Sequence, residues 1–249
     1  MDETAEAQYR SGRYWTEHAD WLDSQRSLKA GDLLPGMEAA LKTCDRRPVR
    51  VVDIGAGTGS VLATVCDLMS ERIAGISFEQ VAYEISPNAI ERGRSYFPQI
   101  EFRERLFDGS EGEFEVAMLV DVFEHLENPW EMFRAVRQRA SYCLVRQPLI
   151  QGFGTFWRNA YRSQREGVGH IGLFTSRQFV DIAEACGWRP LHLELVPLWN
   201  LSTTHKRGRT NPVKRLIHFL SPELASVVMS GYYLNGVFER DDQDGSTPS

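Results

Sequence analysis

Residues 51–59 read Val-Val-Asp-Ile-Gly-Ala-Gly-Thr-Gly, an apolar run that ends on an acid and then places glycine at three alternate positions. Lacking Cβ atoms, Gly55, Gly57 and Gly59 permit a tight turn and let a nucleotide-like ligand lie directly on the backbone. The D-x-G-x-G-x-G spacing differs from the G-x-G-x-x-G of dinucleotide sites, and Asp53 at the strand tip suits a cationic group. Glu84 ends a second apolar run 25 positions after Gly59, close to the ~20-residue offset at which an acid takes ribose hydroxyls. Each such charged hydrogen bond is worth roughly 1.5–3 kcal/mol. A third constellation runs Asp121-Val122-Phe123-Glu124-His125-Leu126-Glu127-Asn128-Pro129-Trp130. Asp121, Glu124 and His125 stand at i, i+3 and i+4, which a helical turn places on one face. The imidazole of His125 titrates near neutral pH and makes it the leading candidate for general base; the competing role is to order its loop by a hydrogen bond. Arg146 can grip a carboxylate or phosphate bidentately, or serve as an ordinary ion pair. His170 is a second acid/base candidate, or a loop anchor.

Strands and helices must alternate to present these groups together. Val49–Ile54 reads as a strand after Pro48, followed by a helix to about residue 71. Phe78–Ile85 is a second strand, and Ser86-Pro87 opens a helix over Asn88–Tyr96 because proline fits a first helical turn. Ile100–Leu106, Val116–Val120 and Tyr142–Val145 complete a set of strands, with a helix over Pro129–Arg137. The alternation of these strands with helices means a parallel arrangement with right-handed crossovers, within a doubly wound, Rossmann-like α/β sheet of about seven strands with helices on both faces. Beyond Pro148 the rhythm breaks into a loop-rich insertion of about twenty residues. A helix over Ser176–Cys186, a strand over Trp188–Leu195, one or two helices over Pro212–Met229 and a last strand over Tyr232–Glu239 follow. Residues 1–47 form an expected helical cap of two amphipathic helices, 48–240 the main domain with insertions about 150–170 and 198–229, and 241–249 a disordered polar tail.

The glycine loop resembles motif I of the class I S-adenosylmethionine (SAM) dependent methyltransferases. "D-V-F-E-H-L-x-N-P" resembles the segment after strand four in small-molecule and quinone-type members, and Gly169-His170-Ile171-Gly172-Leu173-Phe174-Thr175 their "G-H-x-x-x-F-T" junction. The resemblance spans roughly residues 49–195. It implies SAM as methyl donor and S-adenosylhomocysteine as product, with Asp53, Gly55, Ala56, Gly57 and Gly59 at the amino-acid end and Glu84 on the ribose. Ile85 would flank the adenine, with Val120 and Asp121 at the cofactor's edge. Leu106 falls where many members carry an acid or amide for the adenine amino group, and Asp108 comes two residues late, so adenine recognition departs from the pattern. Some quinone O-methyltransferases hold a divalent cation on acids and a histidine spaced like Asp121, Glu124 and His125; that set would take Mg²⁺ or Mn²⁺ weakly, and Asp121 and Glu124 have cofactor-contact and turn-capping roles as alternatives. The implied reaction is methyl transfer to an oxygen or nitrogen of a small molecule. The rivals are a nicotinamide-dependent oxidoreductase and a non-catalytic SAM-binding protein. Tyr14, Trp15 and Lys29 of the cap are candidates for the pocket mouth.

Composition narrows the partners. The 249 residues are 42% apolar and carry a net charge of −6, which argues against non-specific nucleic-acid binding. Four dispersed cysteines, Cys44, Cys66, Cys143 and Cys186, form neither a disulfide framework nor a zinc pattern. The N-terminus lacks a basic start and apolar core, and no apolar run reaches a membrane span, so a cytoplasmic protein is expected. The basic segment Lys206, Arg207, Arg209, Lys214 and Arg215 reads as a solvated helix start rather than a lipid contact. Monomer and homodimer both remain open.

Overall fold

A computed structural model describes residues 24–110, 112–157, 159, 161–198 and 212–242. Helix α1 (Arg26–Leu41) precedes β1 (Val49–Ile54), α2 (Ser60–Arg72), β2 (Phe78–Glu84), α3 (Pro87–Tyr96), β3 (Ile100–Glu104) and β4 (Phe114–Val120). A 3-10 turn (Phe123–His125), α4 (Pro129–Arg137), β5 (Ala140–Leu149), α5 (Phe153–Trp157) and α6 (Tyr161–Val168) follow. The chain closes with α7 (Ser176–Ala185), β6 (Trp188–Pro197), α8 (Pro212–Leu220), α9 (Pro222–Met229) and β7 (Tyr232–Arg240). The sheet order is β3-β2-β1-β4-β5-β7-β6. Strands β1 to β5 are parallel and β7 runs antiparallel to both neighbours. Connections leave β1 and β4 in opposite directions across the sheet, so a crevice opens beyond their carboxyl ends.

The alternation of side chains along each strand supplies two cores. Val52, Ala117, Cys143 and Val145 face one side, where Phe123, Phe133, Phe179 and Trp188 pack. Val51, Val116, Met118 and Leu144 face the other, against Leu33 and Met37 of α1 and Leu62 and Met69 of α2. Such two-sided burial explains why the central strands read as near-continuous apolar runs. All four cysteines are buried and free. Among the described residues no helix is long and apolar enough to cross a membrane.

The first five strands are parallel, as expected, and the whole sheet is mixed, because the chain returns from the edge strand β6 through α8 and α9 and inserts β7 between β5 and β6 in the reverse direction. Three expectations are corrected. β3 stops at Glu104, leaving Leu106 outside the strand and 52% exposed. β5 continues to Leu149: pairing with β4 ends at Arg146 while pairing with β7 goes on, so Pro148, which has no N–H to donate, sits where one side of the strand is an edge. The segment after Pro148 holds α5 and α6, whose helical signal was hidden by flanking glycines and by the lack of an apolar stripe in α6. One expected cap helix is α1; Tyr14 and Trp15 lie outside the described residues, as do 243–249 of the tail and Lys206, Arg207 and Arg209.

Candidate active site

The tips of β1, β2 and β4 carry Asp53, Glu84 and Asp121, and Arg146 stands level with the end of β4 inside the longer β5. After β1, Gly55, Gly57 and Gly59 have φ of +73°, +57° and +71°, a left-handed region that L side chains adopt at a cost. A Cβ at Gly59 would meet Ile100 Cδ1 at 2.7 Å and Phe102 Cζ at 3.0 Å. The turn is pinned to β2, since the N–H groups of Gly55 and Ala56 donate to the Tyr83 carbonyl. Asp53 is 2% exposed and its Oδ1 finds no partner among the described residues. Burial, with Glu84 nearby, raises its pKa to about 8, against a lowering pull from Lys29. A buried, half-satisfied carboxylate beside bare backbone fits a ligand that brings a cation.

Glu84 is buried and accepts from the N–H groups of Gly57 at 2.7 Å, Ile85 at 2.7 Å and Ser86 at 2.9 Å. Three of roughly four lone-pair positions of the carboxylate are therefore taken. Burial raises its pKa despite those bonds. Ribose hydroxyls can use the remaining position and compete with the Gly57 N–H for the second. Ile85 is half-buried beside it. Exposed Asp108 accepts from the Ser110 N–H and hydroxyl, a local turn cap.

Arg146 is 2% exposed and does not face open space. Its Nη1 donates to both oxygens of Asp121, at 2.6 and 2.9 Å, its Nε to Asp32 at 3.1 Å, and its guanidinium lies 3.5 Å from the Tyr233 ring centroid. Lys29 completes the network through a 2.7 Å contact to Asp121. Desolvation opposes ionisation of Asp121, but Arg146 and Lys29 outweigh it and hold the pKa at about 2. Asp121, just beyond Val120, also takes a φ of +56°. The network ties α1 to the strand tips. Sequence reasoning missed Asp32 and Tyr233; Asp32, three residues after Lys29 on the same helical face, was the available signal.

Phe123 anchors the 3-10 turn by stacking on Phe133 at 4.3 Å and meeting Phe179 edge-on at 5.1 Å. The Glu124 carbonyl accepts from the N–H groups of Ile171 and Gly172, both at 2.8 Å, which brings His170 alongside His125 with ring centroids 5.0 Å apart. His125 Nδ1 lies 3.1 Å from the Gly169 carbonyl; a carbonyl only accepts, so Nδ1 carries the proton and Nε2 the lone pair. The Glu124 side chain is 1% exposed, and neither oxygen has a hydrogen-bond partner among the described residues. Burial first, then the Asp121 charge, pushes its pKa well up. Burial lowers both imidazoles, His170 to about 4 with help from His125, so both are neutral at pH 7. Glu124 and His125 thus stay together, but Asp121 turns away to Lys29 and Arg146; the set of Asp121, Glu124 and His125 does not assemble as a Mg²⁺ cradle. His170 borders a cleft of about 320 Å³ with Leu149, Thr155, Gln164 and Tyr233.

A family model described as a methyltransferase domain matches residues 22–193. The chain resembles a Galdieria sulphuraria protein assigned as a sarcosine dimethylglycine methyltransferase, at 16% identity and a TM-score of 0.61 over 86% of this chain and 85% of that one. It resembles geranyl diphosphate methyltransferase, solved with GPP and sinefungin, at 14% identity and a TM-score of 0.57 over 86% and 78%. It also resembles the plantazolicin methyltransferase BpumL, solved with a monoazolic desmethylPZN analogue and SAH, at 13% identity and a TM-score of 0.53 over 95% and 96%. A sequence search of curated proteins returns no significant match.

Proposed function

Because this chain belongs to the class I SAM-dependent methyltransferase family, we propose that it moves a methyl group from SAM to an oxygen or nitrogen atom of a small molecule. The observation that carries the reading is the unpartnered Asp53 oxygen beside three left-handed glycines, one strand away from Glu84. Asp53 takes the ammonium of the methionine end, the backbone of Gly55 to Gly59 lies under it, and Glu84 takes the ribose. When bound, SAM supplies an electrophilic methyl group on a sulfonium and leaves as S-adenosylhomocysteine.

The remaining work of the protein is to position the acceptor and relieve it of a proton. The corner formed by Glu124, His125 and His170 is the acceptor's place, because it adjoins the cleft under α5 and β7. His125 receives that proton at Nε2, a reading supported by the Nδ1 contact to the Gly169 carbonyl, which leaves the lone pair on Nε2. Arg146 acts as a positioning residue, holding Asp121 and α1, rather than as a substrate clamp.

Calorimetry with SAM, S-adenosylhomocysteine and NAD tests the donor. SAM and its product should bind and NAD should not; the reverse order would move the chain to the oxidoreductases. Glu84→Ala should weaken SAM roughly tenfold or more, the scale of one lost charged hydrogen bond. His125→Ala should lower turnover without changing SAM affinity. A chain that binds SAM yet methylates none of a broad panel of small alcohols, phenols and amines would support the non-catalytic reading instead.

A further inference from the structure

We propose that Glu124, His125 and His170 form a binding site for one divalent transition-metal ion of the zinc or manganese class, open on the side of the acceptor cleft. The inference rests on the reading of this corner as the acceptor's place and specifies how the acceptor is held there.

Three observations converge. First, the Glu124 carboxylate is buried with both oxygens unpartnered among the described residues, and burying such a group is unfavourable unless a proton or a cation satisfies it. Second, His125 Nε2 and His170 Nε2 each lie 3.9 Å from Glu124 Oε1. That is too long for a hydrogen bond and somewhat wide for shared ligation. The three donor atoms lie within 4.8 Å of one another; ligands ~2.1 Å from a tetrahedral ion stand roughly 3.4 Å apart, so each histidine must close on the carboxylate by about half an ångström and the widest pair of donors by up to about 1.4 Å, a side-chain adjustment that binding the ion would drive. Third, His125 Nδ1 donates to the Gly169 carbonyl, the outer hydrogen bond that fixes the tautomer and ring orientation of metal-bound histidines.

The donor set chooses the ion. Two imidazoles and one carboxylate suit Zn²⁺, Mn²⁺, Fe²⁺ or Co²⁺, whereas Mg²⁺ prefers oxygen ligands and keeps its waters. Three protein ligands leave a position for an acceptor hydroxyl, whose pKa the ion lowers. The O–H bond then breaks with its proton passing to solvent, and the new O–CH₃ bond forms as the S–CH₃ bond of the donor breaks. With the ion present His125 is a ligand, and the ion takes over the part the bare imidazole plays in its absence.

The test is titration of the chelator-treated full chain with ZnCl₂, MnCl₂ and MgCl₂ by calorimetry, with SAM affinity measured in parallel. One equivalent of Zn²⁺ should bind at least a hundredfold more tightly than Mg²⁺. His170→Ala and the near-isosteric Glu124→Gln should each weaken Zn²⁺ about a hundredfold while SAM affinity is kept, which also reports that the variants fold. Wild-type protein that takes up no stoichiometric metal, or variants that bind Zn²⁺ as tightly as wild type, would overturn the site. SAM binding without metal uptake leaves the methyltransferase reading standing and removes only the metal; metal uptake without SAM binding does the opposite.

Discussion

Asp53 is the residue at which function and stability pull apart. Its carboxyl is buried with one oxygen unpartnered, and its pKa sits near 8, against about 4 in an unfolded chain. Folding therefore takes up a proton between those values, and the contribution of Asp53 to stability, greatest below about pH 4, is lost as pH rises towards 8. Asp53→Asn should raise the melting temperature by an amount that grows from pH 5 to pH 8, while weakening SAM at least tenfold. A melting-temperature difference that is flat with pH would contradict the shift. The ammonium of SAM should draw the proton off, so binding near pH 7 releases close to one proton. Calorimetry in buffers of different ionisation heat reads this directly, and identical heats in all buffers would count against it. Glu84 is a quieter case: its three backbone bonds make it a clamp for the glycine loop, so its role in the empty protein is to hold the loop in the shape the ligand needs.

At the scale of elements, the loop is built by contacts between secondary structures as much as by its own glycines. Helix α3 passes so close that a Cβ on Gly93 would lie 2.7 Å from the Thr58 carbonyl and 2.4 Å from Phe102 Cζ. Gly93→Ala should cost about 1–3 kcal/mol by overpacking and weaken SAM through displacement of Thr58; denaturant titration checks the first and calorimetry the second. Helix α1 is held through Arg146, whose removal takes the guanidinium from Asp32 and leaves Asp121 with Lys29 alone. Arg146→Leu should destabilise by roughly 3–5 kcal/mol, the usual cost of breaking a buried ion network from one side. A loss confined to substrate binding, with stability intact, would restore Arg146 to the role of substrate clamp that its sequence position first implied. The aromatic stack of Phe123, Phe133 and Phe179 does the corresponding work under the 3-10 turn.

For the whole molecule, a ligand that joins β1, the glycine loop and β2 should stabilise the fold as a unit. SAM at a hundredfold excess over its Kd adds about 2.7 kcal/mol, which for a chain of this size means a rise in melting temperature of roughly 5–11 °C; scanning fluorimetry against SAM concentration measures it, and a flat curve would remove SAM as the ligand. The order and type of most elements were legible in the sequence, because helix and strand periodicity and the Gly, Pro and Asn punctuation act over a few residues. So was the placement of Asp53, Glu84 and Asp121 at strand tips, since in an α/β alternation every strand ends at the same edge. Local signals failed where neighbours decide: the reversal of β7 depends on which edge the chain returns to, and α6 carries no apolar stripe to announce it. Side-chain partnership was beyond reach for the same reason. Arg146 and Asp32 are 114 positions apart, and the histidine at 170 reaches the one at 125 only because the Glu124 carbonyl gathers the distant loop. By itself the sequence determined the sheet, the glycine loop and the acids on its rim. Only the tertiary structure decided that Arg146 is held inside a buried network and that Glu124, His125 and His170 share one largely buried corner, because those pairings are set by packing between segments that no short-range pattern connects.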